Sequence, residues 1–401
     1  MTNNQTMFES LKKELSRRSL LHKVGFGFMG LSVAGTLGHI IKPARTLAQS
    51  EAAPSNEPSS VPPNKKLGWA VVGLGKFATQ QIMPSFAECK SSKLVALVSG
   101  DSAKAEKYAK QYGVNPKNIY KYQNYDSIRN NPEVDIIYII LPNGMHAEYS
   151  IRGAQAGKHI MCEKPMANTV EECQAMIDAA KKANRKLMIA YRAQYEPYNL
   201  ATIQLAQSGK LGKLKLITSD HGRNLNPKDP ADVWRMQKKL AGGGSLYDIG
   251  VYSLQAARYI TREEPVAISA MTYSTPDDPR FREVEENVNF VLRFPSGVLA
   301  NCTSSYGYSN TKRIQVFGSD AVLELDPATD YYKHRLTIKD KNGNQEQKIE
   351  EKNQFALEMD HLSESIIQNK QPKTPGEEGL QDVKLMQLIY EAARTGKTIK
   401  V

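Results

Sequence analysis

The chain has 401 residues, which is long enough for two domains of ordinary size, each with its own hydrophobic core. Hydrophobic residues make up 40% and charged residues 24% of the sequence, which excludes a disordered or fibrous chain. Of the net charge of +11, residues 1–48 carry five, from seven Lys/Arg and two Asp/Glu; the remainder forms no basic block, so we expect no nucleic-acid partner.

Residues 1–48 are predicted to be an export leader. The stretch 24–41 has 18 residues without a formal charge, follows basic residues, and precedes a small-residue site at Thr46-Leu47-Ala48. This order is typical of a signal peptide. The alternative is a transmembrane anchor, but five glycines make the stretch a poor and only mildly hydrophobic membrane helix. We therefore expect no stable membrane anchor.

The leader also contains a sequence that resembles the twin-arginine export signal. The pair Arg17-Arg18 follows Ser16, while Leu20 and His22 stand where that signal usually has Phe and Lys. The twin-arginine translocation machinery carries proteins that are already folded. The sequence therefore predicts a protein that is exported in its folded state to the periplasm.

Residues 49–66 are predicted to form an extended arm. They are rich in Pro, Ser and Glu and contain few apolar residues. Such a segment cannot bury a core of its own and acts as a linker or an arm. The folded part of the chain is predicted to begin near Leu67.

A short apolar run and the turn "GLGKFA" predict a dinucleotide-binding site. A strand, a glycine turn and a helix in this order match the fingerprint G-x-G-x-x-A. Gly73 permits the tight turn, Gly75 lets the pyrophosphate approach the backbone, and the small Ala78 lets the helix pack on the strand. Lys76 and Phe77 lie in the same turn and are candidate cofactor contacts.

Strand and helix patterns alternate from this turn onward, which predicts a parallel sheet with helices on its faces. We assign residues 67–190 to an N-terminal Rossmann domain of an α/β protein. The predicted strands are 68–72, 94–98, 134–141, 159–161 and 187–191, and the predicted helices are 102–111 and 147–156.

The end of the second predicted strand bears on which dinucleotide is bound. An NAD site would place Asp or Glu directly there to hold the ribose 2′-hydroxyl. The sequence has Ser99 first and Lys104 one turn into the next helix, which favours the 2′-phosphate of NADP. NAD stays open as the alternative, because a shifted turn could bring Asp101 to the ribose.

The second half of the chain, residues 191–401, is predicted to form an α/β domain with a large, mostly antiparallel sheet. Short apolar runs, often alternating with polar residues, recur at spacings typical of hairpins. Two helical patterns close the chain. The predicted strands are 214–219, 266–273, 287–294, 298–305, 313–317 and 321–325, and the late helices are 354–369 and 380–395.

Two motifs carry candidate catalytic groups. Cys162-Glu163-Lys164-Pro165 follows a buried strand directly, where ligands gather in open parallel sheets. "GGGS" then opens a helix on which Asp248 and Tyr252 lie four residues apart, hence on one face. The alternative for this pair is an acid favoured by the helix dipole beside a half-buried tyrosine.

Together, "AVVGLGKFA", "ILPNGMHAEY", "KHIMCEKPMA" and "AGGGSLYDIGVYSLQAARYI" resemble the Gfo/Idh/MocA oxidoreductases. The stretches "LVSG", "DPATDYY" and "GEEGLQDV" are most similar to members that transfer hydride between two sugars. The resemblance implies an open sheet in the second domain that carries sugar specificity and subunit contacts, late helices that pack back on the first domain, and a homotetramer.

The resemblance and the chemistry agree on three catalytic residues. Hydride transfer from a sugar C1 needs a base for the hydroxyl proton, and the reverse step needs an acid. A phenol is a poor base at neutral pH, but a neighbouring ammonium favours its phenolate. We assign Tyr252 as the acid/base, Lys164 as the group that tunes it and orients the substrate, and Asp248 as a sugar-binding group.

The remaining candidate contacts follow from the motifs of the family. Arg192 and Trp234-Arg235 are expected to contact cofactor or substrate, with a surface arginine and a core tryptophan as the alternative. No metal site is expected, because none of the four cysteines has zinc or redox spacing; they are predicted to be buried thiols. Implied cofactor contacts also include Leu141, Asn143, His146, Glu163 and Lys164.

The expected function is that of an exported oxidoreductase with tightly bound NADP. It would oxidise an aldose to its lactone and reduce a ketose to a polyol by ping-pong hydride transfer. A compartment without free NADP requires a cofactor that is loaded before export and regenerated on the protein. The alternatives are an exported NAD-dependent glycosidase, a sugar dehydrogenase with dissociable NAD(P), and a non-catalytic sugar-binding protein.

Overall fold

The computed structural model describes residues 66–401. The predicted leader, 1–48, and the predicted arm, except Lys66, lie outside the described residues. The Lys66 ammonium donates a hydrogen bond to the carbonyl oxygen of Cys89 at 2.6 Å. Within residues 66–401, no helix is both long enough and apolar enough to cross a membrane.

In the described chain, six parallel strands form the first sheet, in the order β3-β2-β1-β4-β5-β6. This is the predicted parallel sheet of a Rossmann domain, and its strand order reverses between β1 and β4. The strands are β1 Leu67–Val72, β2 Ser92–Val98, β3 Ile119–Tyr120, β4 Ile136–Ile139, β5 His159–Glu163 and β6 Leu187–Ala190.

The helices of the first domain begin and end at local capping signals. The Asp101 side chain accepts from the Lys104 amide at the start of α2, and Gly113 ends that helix with a φ of 68°. Thr169 and Glu172 form a capping box at the start of α4. The helices are a π-helical turn at Ala78–Ile82 that runs into α1 Met83–Ser85, then α2 Ser102–Tyr112, α3 His146–Gln155 and α4 Val170–Lys182.

Within residues 66–401, nine strands form the second sheet, in the order β14-β13-β12-β11-β7-β10-β9-β8-β15. All neighbours are antiparallel except β7 and β10, so the predicted mostly antiparallel sheet is confirmed. The strands are β7 Leu214–Gly222, β8 Ala267–Tyr273, β9 Asn287–Arg293, β10 Leu299–Ser305, β11 Thr311–Gly318, β12 Val322–Leu325, β13 Leu336–Asp340, β14 Gly343–Gln347 and β15 Ile399–Lys400.

Helices cover one face of the second sheet, and the other face is open. The open face exposes apolar side chains at alternate strand positions, with Met271 78% and Tyr273 60% exposed. The helices are α5 Pro197–Gln207, α6 Pro230–Val233, α7 Lys238–Ala241, a π-helical turn at Leu246–Gly250 that runs into α8 Val251–Thr261, α9 Gln354–Ile367 and α10 Gly376–Thr395.

The last two helices pack against the first domain. Phe355 and Met359 of α9 share one buried cluster with Trp69 of β1, and the Trp69 indole donates to Ser363 at 3.1 Å. A Cβ at Gly379 of α10 would lie 2.7 Å from Met166, so α10 approaches the first domain as closely as glycine allows. These contacts tie the two sheets into one described unit.

His159 at the start of β5 predicts a loss of stability in acid. Its Nδ1 accepts from the Lys186 amide at 3.0 Å, and burial, with Arg185 and Lys186, lowers the pKa of His159 to about 3. As pH falls from about 6.5 to about 3, His159 is protonated in the unfolded chain but stays neutral in the folded chain. The unfolding free energy therefore decreases over this range.

Replacing His159 tests whether its titration lowers the unfolding free energy in acid. His159→Gln should reduce the slope of unfolding free energy against pH in that window by up to about 1.4 kcal/mol per pH unit, measured by urea unfolding. The exposed Lys182→Gln variant serves as the control, because lysine does not titrate there. An unchanged slope in His159→Gln would contradict the assignment.

Candidate functional site

The glycine turn after β1 has the geometry that a dinucleotide needs. Gly73 has a φ of 93°, and a Cβ there would lie 2.4 Å from the carbonyl oxygen of Ile140. A Cβ at Gly75 would meet nothing within 4 Å, so the backbone there is open to an incoming group, while Ala78 is fully buried against the sheet. A pyrophosphate fits this turn at the start of the helix.

The end of β2 presents a hydroxyl and a lysine. The buried Ser99 hydroxyl accepts from the Asp101 amide at 3.1 Å, and the Asp101 carboxylate accepts from the Lys104 amide at 2.9 Å. Asp101 is therefore used as the cap of α2. The Lys104 side chain is exposed beside this turn.

Lys164, Asp248 and Tyr252 come together beside the carboxyl end of β5. The Lys164 ammonium donates to the backbone oxygen of Asp248 at 2.5 Å and lies 3.5 Å from its carboxylate. The same ammonium lies 4.8 Å from the centre of the Tyr252 ring. The first domain thus supplies the lysine and the second domain supplies the acid and the phenol.

Three cations surround the Asp248 carboxylate, whose side chain is only 14% exposed. Burial alone would raise the pKa of Asp248, but Arg235, Lys164 and Arg223 outweigh burial and hold this pKa well below its usual range. Arg235 Nε lies 2.9 Å and Arg223 Nε 3.7 Å from the carboxylate. Arg223 also pairs with Asp232 at 2.6 Å. Asp248 is therefore an acceptor that stays ionised.

Tyr252 is held from two sides. Arg192 Nε donates to its hydroxyl oxygen at 3.1 Å, and the ring of His221 stacks on its ring with centroids 5.7 Å apart. The two nitrogens of His221 lie 2.9 Å from the Ser253 hydroxyl and 2.7 Å from the Thr329 hydroxyl. Burial, with nearby cations, lowers the pKa of His221 to about 3, so the imidazole is neutral near pH 7.

An aromatic cluster connects the glycine turn to this site. Phe77, Tyr331 and Phe355 pack with ring centroids between 5.5 and 6.0 Å apart. Tyr331 is 38% exposed, and burial raises its pKa to about 12, so its phenol is neutral. The cluster offers a partly exposed aromatic surface beside Tyr252.

Two family models match the chain. The model described as an oxidoreductase family with an NAD-binding Rossmann fold matches residues 67–191, and the GFO/IDH/MocA C-terminal domain matches residues 200–324. The crystal structure of an aldose–aldose oxidoreductase from Caulobacter crescentus is 48% identical, with a TM-score of 0.81. The aligned region covers 84% of this chain and 100% of the chain in that structure. The chain belongs to the Gfo/Idh/MocA oxidoreductase family.

Two further proteins are similar to this chain at lower identity. A D-xylose 1-dehydrogenase (NADP(+)) from Haloarcula marismortui is 29% identical over 340 residues, which cover 83% of this chain and 92% of that protein. A 3-ketoreductase from Actinomadura kijaniata, solved with NADP and TDP-benzene, is 21% identical with a TM-score of 0.73. The aligned region covers 82% of this chain and 98% of the chain in that structure. At this identity the similarity supports the fold alone.

Some residues that the Gfo/Idh/MocA motifs suggested as cofactor contacts join loops in this structure. Both ring nitrogens of the buried His146 lie within 2.9 Å of backbone oxygens, those of Pro165 and Leu141. The Asn143 amide donates to the carbonyl oxygen of Ala241 at 2.8 Å. His146 therefore holds the backbone next to Lys164 in place, and Asn143 joins the first domain to α7 of the second.

The other suggested contacts lie around the glycine turn and the catalytic cluster. Glu163 accepts from the Tyr138 hydroxyl at 2.7 Å. The Arg235 guanidinium stacks on Trp234 at 4.3 Å from the ring centre while it pairs with Asp248. Lys76 lies 3.5 Å from Asp229, across the opening between the two domains.

Four residues of the site escaped the sequence analysis as individual positions: Arg223, His221, Thr329 and Tyr331. The sequence carries only weak signals for them: Thr329 and Tyr331 lie in the family stretch "DPATDYY", and His221 and Arg223 lie in none of the motifs. All four cysteines are free and buried, as predicted. Among residues 66–401, no group of His, Cys, Asp and Glu side chains could hold a metal ion.

The Asp248→Asn variant tests the role of the carboxylate in joining the domains. At pH 7 its unfolding free energy should fall by about 3 kcal/mol, because three partly buried cations lose their shared anion. The lowered pKa of Asp248 makes its contribution present above about pH 4 and lost progressively as pH falls below that value. The difference from wild type should therefore shrink in acid.

Chemical unfolding followed by circular dichroism at several pH values measures this difference. Asp178→Asn is the matched control, since Asp178 is exposed and accepts only from Gln174. A stability difference that stays constant down to pH 2 would show that the charge of Asp248 is not what matters.

Proposed function

We propose that this protein is an exported sugar oxidoreductase of the glucose–fructose oxidoreductase type. It keeps NADP bound, oxidises an aldose to its lactone and reduces a ketose to a polyol. The observation that carries the proposal is the cluster of Lys164, Asp248 and Tyr252, which lies where the nucleotide-binding sheet meets the second domain. A phenol, an ammonium and an ionised acid are the groups that an alcohol needs in order to lose a proton as hydride leaves.

The choice of NADP rests on the end of β2. The Asp101 carboxylate caps α2 and is thereby occupied, while Ser99 and the exposed Lys104 can meet a 2′-phosphate. When bound, NADP supplies the nicotinamide that takes hydride from one sugar and returns it to the other. The glycine turn would hold the pyrophosphate, and Phe77 would contact the nicotinamide end. The similar protein from Haloarcula marismortui is a D-xylose 1-dehydrogenase (NADP(+)), which supports this choice.

The proton balance assigns the protein groups. In the oxidative half-reaction the C1–H bond of the aldose breaks as hydride leaves, and its hydroxyl proton passes to the Tyr252 phenolate, which leaves a lactone. In the second half-reaction the acceptor carbonyl carbon gains hydride and its oxygen takes the proton from Tyr252. Asp248 accepts a hydrogen bond from a sugar hydroxyl, and Lys164 favours the phenolate.

The acceptor has a second candidate. The 48% identical structure from Caulobacter crescentus carries the name aldose–aldose oxidoreductase. That name favours a second aldose in place of a ketose as the hydride acceptor. The chemistry at Tyr252 is the same, because either sugar presents a carbonyl carbon and a carbonyl oxygen.

Export follows from the leader. A periplasmic enzyme meets no free NADP pool, so the cofactor would be loaded before twin-arginine export and would stay bound through both half-reactions. The alternatives from the sequence remain distinguishable: a glycosidase would need no second sugar, and a dehydrogenase with dissociable NAD(P) would lose its nucleotide.

The first experiment identifies the nucleotide and the sugars. Mature protein is dialysed and denatured, and the released nucleotide is identified by chromatography. We expect about one NADP(H) per chain, one turnover with glucose alone, and steady turnover when fructose or a second aldose is added. Protein that loses its nucleotide on dialysis, or that hydrolyses aryl glycosides without a second sugar, would contradict the proposal.

Replacing the phenol tests the mechanism. Tyr252→Phe should lower kcat by about 100- to 10,000-fold, the usual contribution of a general acid/base, with NADP content unchanged. Tyr259→Phe on the same helix is the matched control, because the Tyr259 hydroxyl donates to Glu378 and not to the site. Full activity in Tyr252→Phe would remove Tyr252 from the mechanism.

A homotetramer is part of the proposal, supported by the open sheet face. Exposed apolar side chains of this kind mark contact surfaces. Met271→Asp with Val291→Asp should lower the mass of the assembly in light scattering. Leu357→Asp on α9, also an exposed apolar site, should leave the mass unchanged. An unchanged mass in the double variant would exclude this face as a subunit contact.

A further inference from the structure

We propose that Arg192 is a positioning residue that holds the Tyr252 hydroxyl oxygen and favours its phenolate. The proposal rests on the proposed function, in which Tyr252 is the acid/base. It assigns to Arg192 a role different from the cofactor or substrate contact that the sequence suggested.

Arg192 is fixed by its own contacts. It lies two residues after β6, is buried, and all three of its guanidinium nitrogens donate hydrogen bonds. Nη1 donates to the carbonyl oxygen of Asp330 at 3.2 Å and to Gln354 at 2.9 Å, and Nη2 donates to the carbonyl oxygen of Thr329 at 2.5 Å. Four of its five N–H groups are accounted for once Nε is included, which leaves little of Arg192 for a nucleotide.

The remaining contact of Arg192 goes to the phenol. Among residues 66–401, Arg192 Nε is the hydrogen-bond partner that the structure gives the Tyr252 hydroxyl, at 3.1 Å. The Lys164 ammonium lies over the ring and directs its hydrogen bond to Asp248. The two cations therefore contact different parts of Tyr252: Lys164 lies over the ring face, and Arg192 donates to the hydroxyl oxygen.

The other titratable and charged groups around Tyr252 do not replace Arg192. His221 is neutral near pH 7 with both nitrogens engaged, and the Asp248 carboxylate pairs with Arg235 and makes no hydrogen bond to the Tyr252 hydroxyl among residues 66–401. The phenol of Tyr331 is neutral and lies under the Arg192 guanidinium at 4.9 Å. The groups that face Tyr252 are Lys164, Arg192, His221, Asp248 and Tyr331.

A guanidinium at this place has a specific chemical consequence. It keeps its proton in proteins, so it donates to the Tyr252 oxygen but cannot accept the phenol proton. The donated hydrogen bond stabilises the phenolate and leaves the O–H direction to the substrate. Arg192 therefore fixes the position of the Tyr252 oxygen and favours the form that accepts the aldose hydroxyl proton.

Two substitutions test this role. Arg192→Gln removes the charge, and Arg192→Lys keeps a charge without the fixed fork of donors. In Arg192→Gln the pH at which the oxidative half-reaction reaches half its maximal rate should rise by about one pH unit or more, and the alkaline fall of the reductive half-reaction should move the same way. Arg192→Lys should restore part of the shift.

The control lies at the other end of the same strand. Arg185 precedes β6 and also donates to backbone oxygens, those of Gly157 and Asn184, at a distance from the site. Arg185→Gln should leave both pH profiles unchanged. If Arg192→Gln fails to fold, Gln354→Met loosens the guanidinium without removing its charge and should give a smaller shift in the same direction.

A second readout separates this proposal from the proposed function. Ring-labelled tyrosine gives a carbon NMR signal for Tyr252, assigned by its loss in Tyr252→Phe, and its titration needs no turnover. We expect Arg192→Gln to move that titration to higher pH even in a protein that turns over none of the tested sugars. An unmoved titration would overturn the proposal. Loss of nucleotide in the same variant would make Arg192 a cofactor contact.

Discussion

The pairing of Asp248 with Lys164, Arg235 and Arg223 is the constraint on which the two-domain arrangement depends. A carboxylate removed from water is stable as an ion only when cations and donors replace its hydration. Lys164 comes from the end of β5, and both arginines come from the segment after β7. The second domain thus supplies two of the three cations itself, and contact with the first domain adds Lys164 and completes the charge balance around the acid.

Much of the fold could be predicted because its signals are local. The glycine turn, the buried parallel strands and the hairpin spacing each depend on residues close in sequence. The helix α5 was not predicted, because polar side chains such as Asn199 and Thr202 lie on its buried face and hide the apolar period. The hairpin of β13 and β14 was missed because β14, at the sheet edge, contains no apolar residue, so only the short β13 shows any alternation.

The residues of the site were likewise predictable only where they lie close together in the sequence. Asp248 and Tyr252 were predictable as a pair because four residues of helix place them on one face. The hydrogen bond between Arg192 and Tyr252 joins positions 60 residues apart, and His221 reaches Thr329 across 108. Buried charges of this kind have no local pattern, since their partners are set by which strands become neighbours.

The segment between β7 and α8 contacts the first domain through both neutral and charged groups. Besides the contacts of Asp248 with Lys164 and of Tyr247 with Asn168, the oxygen of Lys239 accepts from Asn168, the oxygen of Ala241 accepts from Asn143, and Asp229 faces Lys76. The ion pair is exposed and contributes at most about 1 kcal/mol. The amide contacts, one of them buried, each contribute about 1 kcal/mol and are costlier to break without replacement. The neutral amide contacts between the two domains should therefore persist at salt concentrations that screen the pair of Lys76 and Asp229.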